Sequence, residues 1–416
     1  MSKAQNHPAI FNNDPRFSEI LIKLAKNAAP ELVQGDRHPE PLAKFDYNLE
    51  LDLKNQALQE FWKNRRLPGK PNPILPSPRP RHYRTTTKRR VDFYKGKVEL
   101  AYLTESIAVA NPKAGKESRV EPKEHAKIYE FILGKLNTPA YAIFAQALNF
   151  LIIRGDYEKF TVLFNVHTLN ADIVRKAKLL SDHLQKLPVK VVSSFIYFDP
   201  SHSEFYFEAR TFDGPWKLKK IFGFEEIQLK VLDQNYRYHP TAFCQVNASI
   251  LPAFLEKALE LLKPSPEFRL IDLYSGFGFF TFYLGPKFKQ AMGIDLGATS
   301  IDSAKKMAAK NPKSNCQFRS GRIQVENLDN LLPPLQSKIP EMILLDPPRQ
   351  GTEPGVIAAM AARKPKRVLH IFCDLETIPK EISEWRKNGF EVSEITPLDM
   401  FPGTDNLEVM VLLNPA

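Results

Sequence analysis

From about Phe268 to the end of the chain, short apolar runs alternate with helical stretches. The runs are RLIDLYSG (269–276), AMGID (291–295), CQFRS (316–320), EMILLDPP (341–348) and RVLHIFCD (367–374). Helical stretches such as ATSIDSAKKMAAKN (298–311) and EISEWRKNG (381–389) separate them. Continuous apolar runs between helices predict a parallel sheet covered on both faces. The end breaks the rhythm: FEVSEITPLDMF (390–401) and NLEVMVLLN (406–414) are joined by a short loop. That spacing predicts an antiparallel pair, giving a seven-stranded, mostly parallel sheet with one reversed strand.

Upstream the pattern is mixed. LNFLIIRG (148–155), FTVLFNVHTL (160–169), VKVVSSFIYF (189–198) and EEIQLKVL (225–232) read as strands. ADIVRKAKLLSDHLQKL (171–187) reads as a helix, with Ile173, Ala177, Leu180 and Leu184 on one stripe. Leu58, Phe61 and Trp62 give helical spacing between Leu53 and Arg66, and six prolines from Pro68 to Pro80 then hold the chain extended. The first fifty residues are polar, proline-punctuated and show no clear element. The divisions expected are a helical segment and proline-rich linker over 1–76, a mixed α/β RNA-binding domain over 77–235, and an α/β domain over 236–416.

Net charge is +11 across 416 residues, which favours a polyanionic partner. Part of that charge is concentrated. Ser77 to Val91 carries six basic residues and no acid, with His82 and Tyr83 inside the run. Cations beside a ring that can stack on a base suit RNA, and Tyr83 and Arg84 are the substrate-binding candidates there. A solvated basic loop is the plainer alternative. Cys244, Cys316 and Cys373 are widely spaced and form no CxxC pair, so no metal or cluster site is expected, and three unpaired thiols fit a reducing compartment. No apolar run is long enough to span a bilayer and the N-terminus lacks an apolar signal core, so the expectation is cytoplasmic, without a membrane partner. Nothing requires more than a monomer.

The candidate chemistry lies at strand ends, where open α/β sheets bind ligands. The first strand ends in Asp272-Leu273-Tyr274-Ser275-Gly276-Phe277-Gly278, and the two glycines allow close approach of a ligand. Thr281 occupies the sixth position of a GxGxxG pattern, which argues against a pyrophosphate cofactor. Asp295, at the next strand end, can accept from both hydroxyls of a ribose. S-adenosylmethionine, with a ribose and no phosphate, suits this loop better than a dinucleotide. Asp346-Pro347-Pro348-Arg349 ends the fourth strand; Asp-Pro-Pro at this place lines the base pocket of many nucleic-acid methyltransferases. Cys373 ends the fifth strand and Glu408 begins the reversed one, so the topology brings both to one edge with Asp346. Methylating uracil at carbon 5 needs such a pair: a thiolate adding to carbon 6, and a base removing the carbon-5 proton. A buried structural cysteine and an exposed strand glutamate remain the bland readings.

The residues from Ser77 onward resemble the RNA 5-methyluridine methyltransferase family. SPRPRHYR, Phe243 to Asn247, DLYSGFGFF, GIDLGATSIDSA, LLDPPRQG, RVLHIFCDLET and DMFPGTDNLEVMVLL carry the resemblance in family order. It implies a Rossmann-like class I methyltransferase domain beside a smaller mixed α/β domain, S-adenosylmethionine as cofactor, and tRNA or rRNA as substrate. It implies Cys373 as nucleophile and Glu408 as base. Gln245, Tyr274, Gly276, Gly278, Asp295 and Asp346 would surround the cofactor, with Asp346 and Arg349 also bordering the uracil. Members with an iron–sulfur cluster have four cysteines near the N-terminus; this chain has none before Cys244.

Three positions depart from the family pattern. Phe279 replaces an Asn after the glycine loop, Asp374 replaces an Asn after the nucleophile, and Asn406 replaces a His before Glu408. An acid beside the thiol is expected to raise its pKa and slow attack. These departures keep open a rival of another class, a weakened methyltransferase fold serving as an RNA-binding or chaperone module. A cytosine-5 methyltransferase would place its cysteine in the Asp-Pro-Pro-Arg segment, and an exocyclic-amine enzyme would want an aromatic at Arg349.

Overall fold

The computed structural model describes residues 14–35, 38–103, 108–109, 118–201, 218–311, 314–334 and 339–416. The opening stretch read above as lacking a signal core lies outside residues 14–35.

The chain opens with two helices, α1 (Phe17–Ala28) and α2 (Tyr47–Asn64). Glu19 accepts from the Arg16 amide at 3.0 Å and Asp46 from the Asn48 amide at 3.0 Å, satisfying amides that a helix start leaves free. The helix α1 falls in the stretch where the sequence showed no clear element. Its stripe of Phe17, Ile20, Leu21 and Ala25 is buried.

A first sheet follows, in the order β3-β2-β1-β4-β5-β6-β7. Its strands are β1 (Thr86–Tyr94), β2 (Lys97–Leu103), β3 (Ala108–Val109), β4 (Leu148–Gly155), β5 (Phe160–Val166), β6 (Val191–Phe198) and β7 (Leu218–Gly223), with α3 (Lys123–Leu136), α4 (Ala142–Ala147) and α5 (Ala171–Leu184) packed on it. Only β5 and β6 pair in parallel. The basic run is therefore part strand. In β1, Thr87, Arg89 and Val91 are buried and alternate with more exposed neighbours. Arg89 tolerates burial because Glu121 pairs with it and Tyr129 lies under its guanidinium.

The hairpin β8 (Ile227–Val231) and β9 (Gln234–Tyr238) corrects one expectation. EEIQLKVL is a strand, yet it forms its own two-stranded sheet. Ile227, Leu229, Val231, Tyr236 and Tyr238 pack with the C-terminal part instead.

The second large sheet runs β12-β11-β10-β13-β14-β16-β15. Its strands are β10 (Arg269–Leu273), β11 (Gln290–Asp295), β12 (Cys316–Ser320), β13 (Glu341–Leu345), β14 (Arg367–Phe372), β15 (Phe390–Leu398) and β16 (Glu408–Pro415). Pairing is parallel from β12 to β14, and β16 runs antiparallel to both its neighbours. The expected sheet is thus present, with β16 as the reversed strand.

The helices α6 (Leu251–Leu262), α7 (Phe279–Leu284) and α8 (Ala298–Ala309) cover one face, against Leu270, Met342, Leu344 and Ile371. The other face carries α9 (Val325–Leu331), α10 (Val356–Ala362) and α11 (Ile378–Lys387) against Ile271, Ile343, Val368 and Val409. The helices α1 and α2 join this second layer, so residues before 77 complete the C-terminal core. The linker does the same: Leu75 bridges Leu398 in parallel, and the Leu75 amide donates to the Pro397 carbonyl at 2.9 Å. Among the described residues no helix is long and apolar enough to cross a membrane.

Candidate active site

The carboxyl ends of β10, β11, β13 and β14 and the start of β16 meet at one edge. Register decides what stands there. Leu273 lies level with Ile294 and with Leu345, which puts Tyr274, Asp295 and Asp346 in a row just past the strands. Phe372 pairs with Val409 in antiparallel register. Cys373 and Glu408 are the residues that follow and precede this last registered pair, and the Glu408 carboxyl acts electrostatically on the Cys373 thiol.

The turn after β10 is held by its neighbour. The Gly276 amide donates to Asp295 Oδ2 at 3.0 Å, and the Gly297 amide to Asp295 Oδ1 at 2.6 Å. Gly278 has φ +87, and a Cβ there would lie 2.8 Å from the rings of Phe282 and Phe318. Both the left-handed backbone and the space demand glycine.

The electrostatics are one-signed. Burial raises the Asp272 carboxyl to about 8, with Asp346 and Asp295 adding to the rise. Burial, then Asp295, raises Asp346 to about 7, against a hydrogen bond that Gln245 donates to it. Asp295 is raised too, by burial. Asp272 Oδ1 and Ser275 Oγ are buried with no hydrogen-bond partner among the described residues. A ligand carrying a sulfonium and an ammonium supplies the positive charge that these carboxyls lack, so S-adenosylmethionine fits this donor set. A pyrophosphate would add negative charge to it and does not.

The pair at the other side has the same character. Glu408 is fully buried, neither carboxyl oxygen has a hydrogen-bond partner among the described residues, and burial and then Asp346 raise its pKa well above the usual range. Cys373 is partly exposed and its thiol lies 3.9 Å from the Pro347 carbonyl. Burial, then Glu408 and Asp346, push that thiol far up; Arg349 pulls it down, and Asp374 adds the smallest rise. The Asp374 carboxylate is engaged elsewhere, accepting from the Glu376 amide at 3.0 Å and capping the turn before α11.

Several basic-run residues differ from their expected places. Tyr83 is completely buried and its hydroxyl donates to the Pro402 carbonyl at 2.9 Å. It presents no ring to RNA; its size and polar tip are used to hold a loop. Arg84 forms a backbone bridge with Asn247, two residues after Gln245. Lys88, which the sequence did not single out, is lowered to about 8 by burial and then by Arg84 and Arg349. Arg84 and Arg349 thus both act on Lys88, and Arg349 acts on the Cys373 thiol as well. Sequence reasoning also missed Phe243, whose ring is 66% exposed two residues before Gln245. Glu381 was missed as well. Its Oε1 accepts from the Thr352 amide at 2.5 Å and from its hydroxyl at 2.9 Å, while His370 Nε2 lies 3.0 Å from Oε2. This anchors the loop after Arg349, where a Cβ on Gly351 would collide with that carboxylate. A histidine inside the apolar run RVLHIFC was the available signal.

Residues 215–416 match the family model described as tRNA (Uracil-5-)-methyltransferase. An uncharacterised RNA methyltransferase of Lactobacillus johnsonii is 24% identical over 416 aligned residues, covering 96% of this chain and 87% of that one. One from Oceanobacillus iheyensis is 31% identical over 199 residues, covering 47% of this chain and 42% of the relative. The crystal structure of Pyrococcus abyssi tRNA (uracil-54, C5)-methyltransferase in complex with S-adenosyl-L-homocysteine superposes with a TM-score of 0.64 at 20% identity, covering 91% of this chain and 86% of that one. At that identity the likeness establishes the shared fold.

Proposed function

We propose that this chain, whose residues 215–416 match the tRNA (Uracil-5-)-methyltransferase family model, is an S-adenosylmethionine-dependent RNA methyltransferase that forms 5-methyluridine through a Cys373 adduct. The observation that carries the reading is the placement of Cys373 and Glu408 next to the last registered pair, Phe372 and Val409, with the buried Glu408 carboxyl acting on the thiol. A flat pyrimidine between them would meet sulfur on one side and carboxylate on the other.

Bound at Tyr274, Gly276, Gly278, Asp295 and Asp346, the cofactor supplies an electrophilic methyl group. Cys373 Sγ, as thiolate, adds to carbon 6, and the electron pair of the 5,6 double bond moves onto the carbon-4 carbonyl through carbon 5. Carbon 5 would then take the methyl from the sulfonium, whose carbon–sulfur electron pair would stay on sulfur and leave as S-adenosylhomocysteine. Glu408 takes the carbon-5 proton, the double bond reforms and the thiolate leaves, so sulfur ends as it began. The raised pKa of Glu408 makes its carboxylate a stronger base for that proton. Arg349 opposes the upward shifts of both Cys373 and Glu408, and a positive cofactor would oppose them further. Gln245, hydrogen-bonded to Asp346, belongs with the cofactor residues, Asp346 and Arg349 border the base, and Arg84, Lys88 and Arg349 offer cations to its phosphates.

The RNA is tRNA in the first place, since the family description and the P. abyssi title both name it, with rRNA as the second candidate. RNA carrying 5-fluorouridine should trap a covalent complex with the wild-type chain and none with Cys373→Ala. Wild-type protein that binds both ligands yet forms no adduct would leave the binding-module rival. Counting 5-methyluridine in tRNA and in rRNA from cells with and without the gene identifies the substrate.

A further inference from the structure

The N-terminal helices touch the loop that precedes Glu408 and the turn that follows Cys373. In α2, Lys54 and Glu50 are fully buried and 2.9 Å apart. Lys54 Nζ donates to Asp399 Oδ1 at 2.8 Å and to the Phe401 carbonyl at 3.2 Å. Glu50 accepts from the Gly403 amide at 2.5 Å and, on its other oxygen, from Arg81 at 2.8 Å. Residues 399 to 403 are the loop that leads into β16, and Leu398 is the register partner of Glu408. At the other end of α2, Arg65 pairs with Glu376 at 2.9 Å, and the Phe17 amide at the start of α1 donates to the other Glu376 oxygen at 3.0 Å. Glu376 lies three residues after Cys373.

Buried charge pairs add little net stability compared with apolar residues of the same volume, but they admit one geometry. Burial works against the charge on Lys54; Asp399 and Glu50 outweigh it and keep it cationic. The groups facing this cation are Glu50 on its own helix, Asp399 and the Phe401 carbonyl on the loop, and Tyr47, which also bonds Asp399. The hairpin therefore grips the chain just before the carboxylate and just after the thiol, from one rigid unit.

We propose that the α1–α2 hairpin is a positioning clamp: Lys54 and Glu50 set the loop that delivers Glu408, and Arg65 sets the turn that follows Cys373. The clamp rests on the reaction proposed above, and its two jaws act on different steps. Lys54→Met frees the loop before Glu408, so proton removal slows and the adduct accumulates on ordinary RNA. Turnover then falls at least tenfold while the dissociation constants for S-adenosylmethionine and RNA stay within twofold. Arg65→Gln frees the turn after Cys373, so trapping of 5-fluorouridine RNA slows at least tenfold in a single turnover, with no accumulation on ordinary RNA. Arg65→Lys, which can still pair with Glu376, restores most of the trapping rate.

Amide hydrogen exchange reads the clamp without catalysis. Lys54→Met should speed exchange over 399–409 and leave 373–377 unchanged; Arg65→Gln should do the reverse. Wild-type protein that forms no adduct would overturn the proposed reaction, while the exchange pattern still judges the clamp. Folded variants with unchanged exchange, or with both steps slowed alike and both ligands weakened, would overturn the clamp. Should Lys54→Met fail to fold, Arg65→Gln at the partly exposed Arg65–Glu376 pair still tests the clamp through its thiol-side jaw, and unchanged exchange over 373–377 would overturn it.

Discussion

Affinity for S-adenosylmethionine should rise with pH through the titration of Asp346. Its carboxyl is raised to about 7 by burial and then by Asp295, and it keeps some contact with solvent. A cation binds beside it only when it is ionised, so the apparent dissociation constant is the intrinsic one divided by the ionised fraction. That fraction is about one-eleventh at pH 6 and about ten-elevenths at pH 8, a gain of roughly tenfold, or about 1.4 kcal/mol. Binding at pH 6 should also release about 0.9 proton, since most Asp346 starts protonated. Titration calorimetry in buffers of different ionisation enthalpy measures both quantities. S-adenosylhomocysteine, which lacks the sulfonium, should show a shallower slope, and Asp346→Asn should show almost none. A dissociation constant that stays flat from pH 6 to 8, or the same slope in Asp346→Asn, would refute the electrostatic account of this pocket.

Asp272 gives a stability signature in the ligand-free protein. Its folded pKa, raised to about 8, lies above the unfolded value near 3.9, so the folded state holds a proton that the unfolded state has released. Thermal stability should therefore fall as pH rises from about 4 to 8, and Asp272→Asn should flatten that fall; a midpoint that climbs across this window would contradict the shift. Asp374→Asn keeps the cap and removes the smallest of the charges raising the thiol, so its trapping rate should change by less than about threefold; a tenfold change would make Asp374 a direct partner of the reaction. Leu21→Ala empties a fully buried position of α1 and should cost about 2–5 kcal/mol in denaturant unfolding, whereas a cost below about 0.5 kcal/mol would mean the helix is not part of the core.

What could be read from the sequence was what repeats locally. The C-terminal strands are apolar on both faces because helices cover both, and that leaves continuous runs such as Glu341–Leu345. The helix α1 escaped because its four buried positions are diluted by Lys23, Lys26 and Asn27, and the face it buries meets a separate helix, α2, with Phe17 edge-on to Phe61. The strand β1 escaped for an opposite reason. Its alternation is real, but Thr87 and Arg89 occupy buried positions, and only Glu121, His125 and Tyr129 make those residues acceptable there. Tyr83 read as a surface ring because local sequence cannot show that the Pro402 carbonyl waits for its hydroxyl. The hairpin β8–β9 was recognisable as a strand pattern, while its choice of core depended on Phe277 and Phe279, which stack and pack against Tyr238 and Tyr236.

The three departures from the family pattern weigh differently once their surroundings are known. Asp374 does the capping that an Asn does through the same side-chain oxygen, so the exchange alters charge and leaves the geometry of the turn after Cys373 in place. Phe279 turns its ring into the core, 5.5 Å from Tyr236 and 5.1 Å from Phe280, and its carbonyl accepts from the Tyr236 hydroxyl at 2.8 Å. The hydrogen bond that an Asn would offer a cofactor is lost there, and the contacts that remain come from backbone amides and from acids on other strands. Asn406 lies in the turn into β16, its amide donating to Thr404 Oγ1 at 3.2 Å. A binding module that no longer reacted would have no use for a buried, unpaired carboxyl facing a half-exposed thiol, because an unsatisfied buried polar group costs about 1–3 kcal/mol. Keeping that cost at Glu408 weighs for a chain whose reaction still requires it.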